Sequence, residues 1–118
     1  MRPDVDGFVP TNIKVGWRTY RVEVWDPEVA QARQMYGECD HIAQTIRIDT
    51  QHDPVQVAET LWHECLHAAY DVGILNRREE SEEELVVSFM SSWTMTMLID
   101  NPALLEFIRR ALTGDWSR

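Results

Sequence analysis

The chain has little cysteine, little positive charge and no long apolar run. It has two cysteines, and Cys65 falls within a helical pattern, so we expect reduced thiols at Cys39 and Cys65 and no disulfide framework. The net charge of -9 argues against nonspecific binding to nucleic acid, which needs a positive surface. No apolar run approaches the roughly 20 residues that cross a bilayer. We therefore expect a partner that is neither nucleic acid nor a membrane.

Length and N-terminal composition predict one domain in the cytoplasm. The 118 residues suffice for a single modest core, so we expect one domain over 1–118. The opening residues, MRPDVDGFVP, lack the basic and apolar regions of a secretory signal. The cytoplasm is the expected compartment, and for a phage-encoded protein it is that of the bacterial host.

The first half of the chain has the pattern of strands. Residues 13–24, IKVGWRTYRVEV, alternate apolar and polar side chains with a break at Gly16, which predicts a hairpin. Residues 28–36 predict a short helix. Residues 41–49, HIAQTIRID, place three isoleucines in a two-residue register, so we expect a third strand that pairs with the hairpin.

The second half has the pattern of three helices. Asp53 and Pro54 are typical of a helix start, and that helix should run to Gly73. A second should begin within Glu82–Glu84 and end before Pro102, and a third should end at Gly114. The expected inward faces are Val86, Val87, Met90, Trp93 and Met97 on the second, and Leu104, Leu105, Ile108 and Leu112 on the third. The predicted class is α+β, with a small antiparallel sheet of about three strands packed against the first helix and the two C-terminal helices.

The segment TLWHECLHAAYD carries the pattern His-Glu-x-x-His at His63, Glu64 and His67. Residues four apart share a helix face, so both imidazoles can bind one zinc ion while Glu64 reaches a metal-bound water. The alternative is that two surface or capped histidines fall four apart by chance. The apolar flanks predict a buried helix, in which these polar side chains need partners, and a metal provides one. We therefore expect a zinc site.

The available ligands favour a catalytic zinc site. Such a site uses three protein ligands and leaves one position for water, whereas a structural site fills all four, often with cysteine. Cys65 lies on another helix face, and Cys39 is distant in sequence. The metzincin pattern would need a histidine or an aspartate where the chain has Gly73. Asp71 continues the helical row but lies too far along the axis to bind the same ion, so it is better placed to support a ligand.

The acidic start of the next helix is the remaining source of a third ligand. With Val86 and Val87 on the face that packs against the motif helix, a step back of three or four residues reaches Glu83. Glu84, one position further round the helix, is the second candidate for the third zinc ligand, and Glu82 is the third candidate. The alternative for this run is a solvated helix start that the helix dipole favours.

The chain resembles the small phage and bacterial zinc metallopeptidases of the ImmA/IrrE type, within the gluzincin class, in HECLHAAYDVGIL, EEELVVSFMSSW and IDNPALLEFI. Upstream, IKVGWRTYRV and YGECDHIAQTIRIDTQ are similar to that group's hairpin and pre-helix strand, so the likeness spans roughly residues 12–112. It implies a minimal zincin-like fold, zinc ligands at His63 and His67, a general base at Glu64 and a third ligand in the glutamate segment. Because residues 82–84 are three consecutive glutamates, the resemblance assigns the third ligand only to within one residue.

The expected function is peptide-bond hydrolysis of narrow specificity, related to a phage or prophage. Zn²⁺ is the expected cofactor, a protein or peptide is the expected substrate, and Glu64 would accept the proton of the attacking water. The strand within 41–48 is a candidate open edge to which an extended peptide could add. A histidine or tyrosine side chain could stabilise the oxyanion, and the candidates are Tyr36, His41, His52 and Tyr70. No positional argument favours any one of them.

Two other functions stay open at this point. A zinc-bearing phage accessory or virion protein could keep the peptidase fold and act by binding a partner. A helical protein without metal is the other. The sequence leaves the oligomeric state open.

Overall fold

The computed structural model describes residues 4–73 and 82–118, with the backbone alone described at 82–84. A short 3-10 helix at Asp6–Phe8 precedes the first strand. The elements that follow are β1 (Asn12–Val15), β2 (Arg18–Val24), α1 (Pro27–Arg33), β3 (Gly37–Asp40), β4 (Thr45–Ile48), α2 (Pro54–Gly73), α3 (Glu82–Asp100) and α4 (Pro102–Thr113). The predicted α+β class is confirmed. No helix of the described ranges is long and apolar enough to cross a membrane.

The sheet has four strands in the order β1-β2-β4-β3 and is mixed. The predicted hairpin is present as the antiparallel pair β1 and β2, joined at Gly16, whose φ of 62° suits glycine. β4 pairs with β2 in parallel and with β3 in antiparallel orientation. The predicted all-antiparallel sheet of three strands was therefore wrong in strand count and in the direction of one pair.

The single strand expected over 41–49 is a turn followed by β4. Ile42 is 98% exposed, although its spacing from Ile46 matches an inward-facing position. The Asp40 carboxylate accepts a hydrogen bond from the Ala43 N–H at 2.9 Å, and Gln44 has a positive φ of 50°. These local bonds close a tight turn, so the chain reverses there and β3 precedes it.

The long helix α2 packs its buried stripe on the sheet, as its sequence predicts. Asp53 caps its start by accepting hydrogen bonds from the N–H groups of Val55 and Gln56 at 3.0 and 3.1 Å. The stripe covers one face of the sheet, and each fully buried side chain of valine or leucine size contributes roughly 1.5–3 kcal/mol. The core residues of α2 and of the sheet beneath it include Val57, Leu61, Cys65, Ala68, Ile13, Val15, Tyr20, Ile46 and Ile48.

The inward face of α3 differs from the expected one. Met97 is buried and Trp93 is partly buried, as predicted. Val86, Val87 and Met90 are half-exposed, and the unpredicted Phe89 is buried. The helix carries apolar residues on all sides between Leu85 and Ile99, so its periodicity alone does not distinguish the packed face. The face was therefore assigned wrongly for the residues nearest the helix start.

The inward face of α4 is only partly the expected one. Leu104 is buried as predicted, but Leu105 and Leu112 are exposed. The buried positions that replace them are Phe107 and Ala111. Phe107 packs edge-on against the Trp116 ring with centroids 6.0 Å apart, so the C-terminal tail contributes to covering this face of the helix.

Candidate metal and catalytic site

The middle of α2 places His63 and His67 side by side on its outer surface. Their Nε2 atoms are 3.2 Å apart, and their ring centroids are separated by 4.8 Å. Both residues are exposed, so the expectation that they lie on a buried face was wrong. The buried stripe passes through Cys65, and residues two positions from it lie on the opposite side of a helix.

This spacing fits a tetrahedral zinc ion. Two nitrogens that each lie about 2.0–2.1 Å from one such ion are about 3.3 Å apart. The Nε2 atoms of His63 and His67 are within about 0.2 Å of that separation without any change of rotamer. The two imidazoles could therefore hold a zinc ion together.

Three ligand-type side chains do not converge anywhere within 4–73 and 85–118. The predicted third ligand, Glu83, belongs to the first turn of α3, and its side chain lies outside the described part of the structure. The same applies to the side chains of Glu82 and Glu84. The third ligand therefore stays a prediction.

Glu64, next to His63, is turned inward between α2 and the sheet. Its exposed fraction is only 7%. A Cβ atom placed on Gly37 would be 3.4 Å from Glu64 Cγ, so β3 passes directly over this side chain. Burial raises the pKa of the Glu64 carboxyl and Glu38 adds to that rise, while the charges of His63 and His67 act in the opposite direction. A carboxylate with a raised pKa is a stronger proton acceptor, as a general base requires.

A groove of about 480 Å³ opens beside Glu64 and His63, and both residues line it. The first turns of α2 form one wall, and the chain entering β3 forms the other. The remaining lining residues are Met35, Tyr36, Gly37, Gln56, Glu59 and Thr60. The candidate base and one candidate ligand therefore face the same open space.

The open edge of the sheet is β3, not the strand after His41. β4 is hydrogen-bonded on both sides, by β2 and by β3, so it offers no free edge. The Asp49 N–H donates to the Tyr36 carbonyl at 2.8 Å. This bond shows which residues of β3 direct their backbone groups toward β4 and which direct them away from it. By that alternation, the N–H and C=O groups of Gly37 and Cys39 point away from β4 toward the groove side.

Asp71 does not support either histidine of the motif. Its carboxylate lies 3.8 Å from both Arg18 Nη1 and His41 Nδ1. His41 in turn lies 3.2 Å from the hydroxyl of the buried Tyr20. Asp71 lies two turns beyond Glu64 on α2, and its described contacts are with Arg18 and His41, which were not the expected partners.

The four candidates for an oxyanion-stabilising residue are dispersed. Tyr36 alone lines the groove with His63 and Glu64. His41 contacts Tyr20, as described above, and the Tyr70 ring packs edge-on against Phe89. His52 makes a 2.9 Å contact with Asp49. Sequence spacing could not select among them, because the approach of Tyr36 depends on how β3 pairs with β4.

Neither cysteine is placed as a ligand. Burial, followed by the charges of Glu64, Asp71 and Asp40, raises the pKa of the Cys39 thiol to about 12. Burial also raises the pKa of Cys65, which is enclosed in the core. Both are free thiols, as the sequence predicted. Zinc binds the thiolate, so thiols that resist ionisation do not favour a cysteine site.

Comparison with known proteins finds no relative. No family model matches the chain, and neither the curated proteins nor the solved structures contain a match. The resemblance to the ImmA/IrrE type therefore stays a prediction that depends on the quoted residues.

Proposed function

We propose that the protein is a zinc-dependent peptidase that hydrolyses peptide bonds, with His63 and His67 as two zinc ligands and Glu64 as the general base. The observation that carries the proposal is the 3.2 Å separation of the His63 and His67 Nε2 atoms, together with the groove that His63 and Glu64 both line. A helix needs neither a histidine pair at zinc spacing nor a buried carboxylate beside it for its own stability. The combination favours a metal-dependent hydrolase over two surface histidines.

The start of α3 is the proposed source of the third ligand. Phe89 packs on Tyr70 with ring centroids 6.0 Å apart, and the Trp93 ring occupies the space beside Gly73. Later residues of α3 thus meet later residues of α2, so the two helices run in the same general direction. The first turn of α3 is then expected near the level of His63 and His67.

Within that turn, helical spacing changes the order of the candidates. The preference for Glu83 depended on Val86 and Val87 as the inward face, and both are half-exposed. Leu85 is partly buried in the core, and three residues before it comes Glu82. We therefore propose a carboxylate of the 82–84 segment as the third ligand, with Glu82 ahead of Glu83.

The chemistry follows from the positions of the protein groups. A zinc ion bound by the histidines would supply Lewis acidity and lower the pKa of a bound water to about 7. Glu64 accepts the proton of the attacking water and delivers it to the leaving nitrogen. The free edge of β3 binds the peptide as an additional strand through the backbone groups of Gly37 and Cys39. The reduced thiols favour the cytoplasm, of a bacterial host if the gene belongs to a phage.

Hydrolysis of a proteome-derived peptide library, read by mass spectrometry, tests the proposal. The wild-type protein with zinc should generate new termini, and Glu64→Gln should abolish them while it retains the metal. Glu59→Gln is the matched control, because Glu59 is an exposed carboxylate of the same groove. If wild-type and Glu64→Gln proteins both bind zinc and neither cuts the library, the alternative of a zinc-bearing protein that acts by binding a partner is favoured.

A further inference from the structure

A second cavity adjoins the groove. Its volume is about 590 Å³, within the range of small-ligand sites. Met35 and Tyr36 line both spaces and form the ridge between them. A chain bound along the edge of β3 at Gly37 would pass over Tyr36 and reach this cavity with its next residues.

Apolar atoms form the larger part of the cavity surface, and polar atoms form the smaller part. Pro27 and Ala30 of α1 contribute apolar surface to the cavity. Met35 and Tyr36 are 47% and 53% exposed, which is unusual for large side chains that could pack inward. The remaining lining residues are Gln31, Gln34, Asp49, Gln51 and His52. This combination suits a flat apolar side chain better than a charged one.

The Asp49 and His52 pair gives the far end a directed hydrogen-bonding group. Asp49 is 9% exposed, and its Oδ2 lies 2.9 Å from His52 Nε2. The Asp49 carboxylate, which also lines the cavity, can only accept hydrogen bonds. The Tyr36 ring meets the imidazole edge-on, with centroids 4.7 Å apart, and fixes its plane. A ligand that donates a hydrogen bond matches this end.

We infer that this cavity is a specificity pocket for an aromatic side chain that carries a hydrogen-bond donor, tryptophan or tyrosine, at one fixed position of a bound peptide. The inference rests on the proposed function in one respect, that the peptide lies along β3. Continuity with the groove sets where the side chain enters, the apolar lining residues bind the ring, and the Asp49 carboxylate accepts a hydrogen bond from the indole N–H or the phenol O–H. Aromatic anchors in such pockets supply much of the affinity of peptide complexes.

Peptide display on the zinc-loaded Glu64→Gln protein tests the pocket, because this variant should bind without cutting. Selected peptides are then measured against two further variants in the Glu64→Gln background. Gln31→Trp introduces a large side chain at the cavity wall from an exposed position of α1. Val29→Trp, on the same helix but outside the lining, is the matched control.

We expect the selected peptides to share one tryptophan or tyrosine. Its change to alanine, or the Gln31→Trp change in the protein, should weaken binding at least tenfold, and Val29→Trp should leave binding within twofold. Peptides without a shared aromatic residue, equal binding to Gln31→Trp, or failure to select any peptide would overturn the pocket. If the selected peptides share the aromatic residue but the wild type does not cut them, the peptidase proposal is rejected and the pocket is supported. If the wild type cuts peptides without any aromatic preference, the pocket is rejected and the peptidase proposal is supported.

Discussion

Asn101 closes the outer edge of β1 by pairing with the backbone of Lys14. Its Oδ1 accepts from the Lys14 N–H at 2.7 Å, and its Nδ2 donates to the Lys14 carbonyl at 2.9 Å, as a neighbouring strand would. One edge of the sheet is thus occupied by a side chain from the α3–α4 junction, whereas the β3 edge beside Glu64 is free of such a cover among the described residues. Protection of one edge only is consistent with a use for the other.

Asn101→Ala should lower the free energy of unfolding by about 2–4 kcal/mol, because three buried or partly buried backbone groups lose a partner. Besides the two bonds to Lys14, Nδ2 donates to the Met97 carbonyl at 2.7 Å. Urea unfolding followed by circular dichroism measures the change. Asn12→Ala is the control, since the Asn12 amide is exposed and bonds the hydroxyl of Thr11. A loss no larger than that of the control would contradict the bridging role.

Gly73→Ala should destabilise the protein by about 1–3 kcal/mol, because the Trp93 ring occupies the space that a methyl group needs. A Cβ at position 73 would lie 2.3 Å from Trp93 Cε2. The same change in a Trp93→Leu background should cost much less, and unfolding of the four proteins of this double-mutant cycle gives the coupling. Equal costs in the two backgrounds would show that the ring is not the cause.

The start of α2 could be predicted because its signals are local. Asp53 and Pro54 start the helix through contacts within its first turn. The strand β3 was missed because Gly37–Asp40 lacks apolar alternation, and its extended form comes from pairing with β4. The parallel pairing of β2 with β4 is likewise set by tertiary contacts, and the sequence of either strand alone does not indicate it.

The candidate site likewise has features that the sequence predicts and features that depend on tertiary contacts. The spacing of His63 and His67 is a property of one helix, so the sequence predicts the pair correctly. Which face of α3 packs inward depends on the contact of Phe89 and Trp93 with α2, and the sequence of α3 alone does not contain this contact. The groove beside Glu64 was not predicted, although Gly37 in YGEC is the one residue whose lack of a side chain could have indicated a close approach of β3 to α2.

Cys39 should react slowly with iodoacetamide in the native protein at pH 8. Its pKa is raised by burial to about 12, so the thiolate fraction is about 1,000-fold smaller than for a thiol of pKa 9, and rapid reaction should begin only as the pH approaches 12. Intact-mass measurement over time gives the rate, with the urea-unfolded protein as the fast control. Native labelling at the unfolded rate would contradict the enclosed position beside Glu64.

One substitution among Glu82→Gln, Glu83→Gln and Glu84→Gln should weaken zinc binding far more than the other two, by about 100-fold or more, because a catalytic site has three protein ligands. Helical spacing from the partly buried Leu85 places Glu82 first and Glu83 second. Competition with a chromogenic chelator measures the affinities, and Glu59→Gln is the control. Three unchanged affinities would exclude this segment as the source of the ligand.

Zinc content by native mass spectrometry tests the central claim most directly. The wild-type protein, resupplied with zinc and desalted, should carry one ion per chain. His63→Ala and His67→Ala should lose it, whereas His52→Ala should retain it, since His52 has its own partner in Asp49. A wild-type protein without zinc, or a His63→Ala protein that binds zinc as tightly as the wild type, would contradict the assignment of the 3.2 Å histidine pair as a metal site.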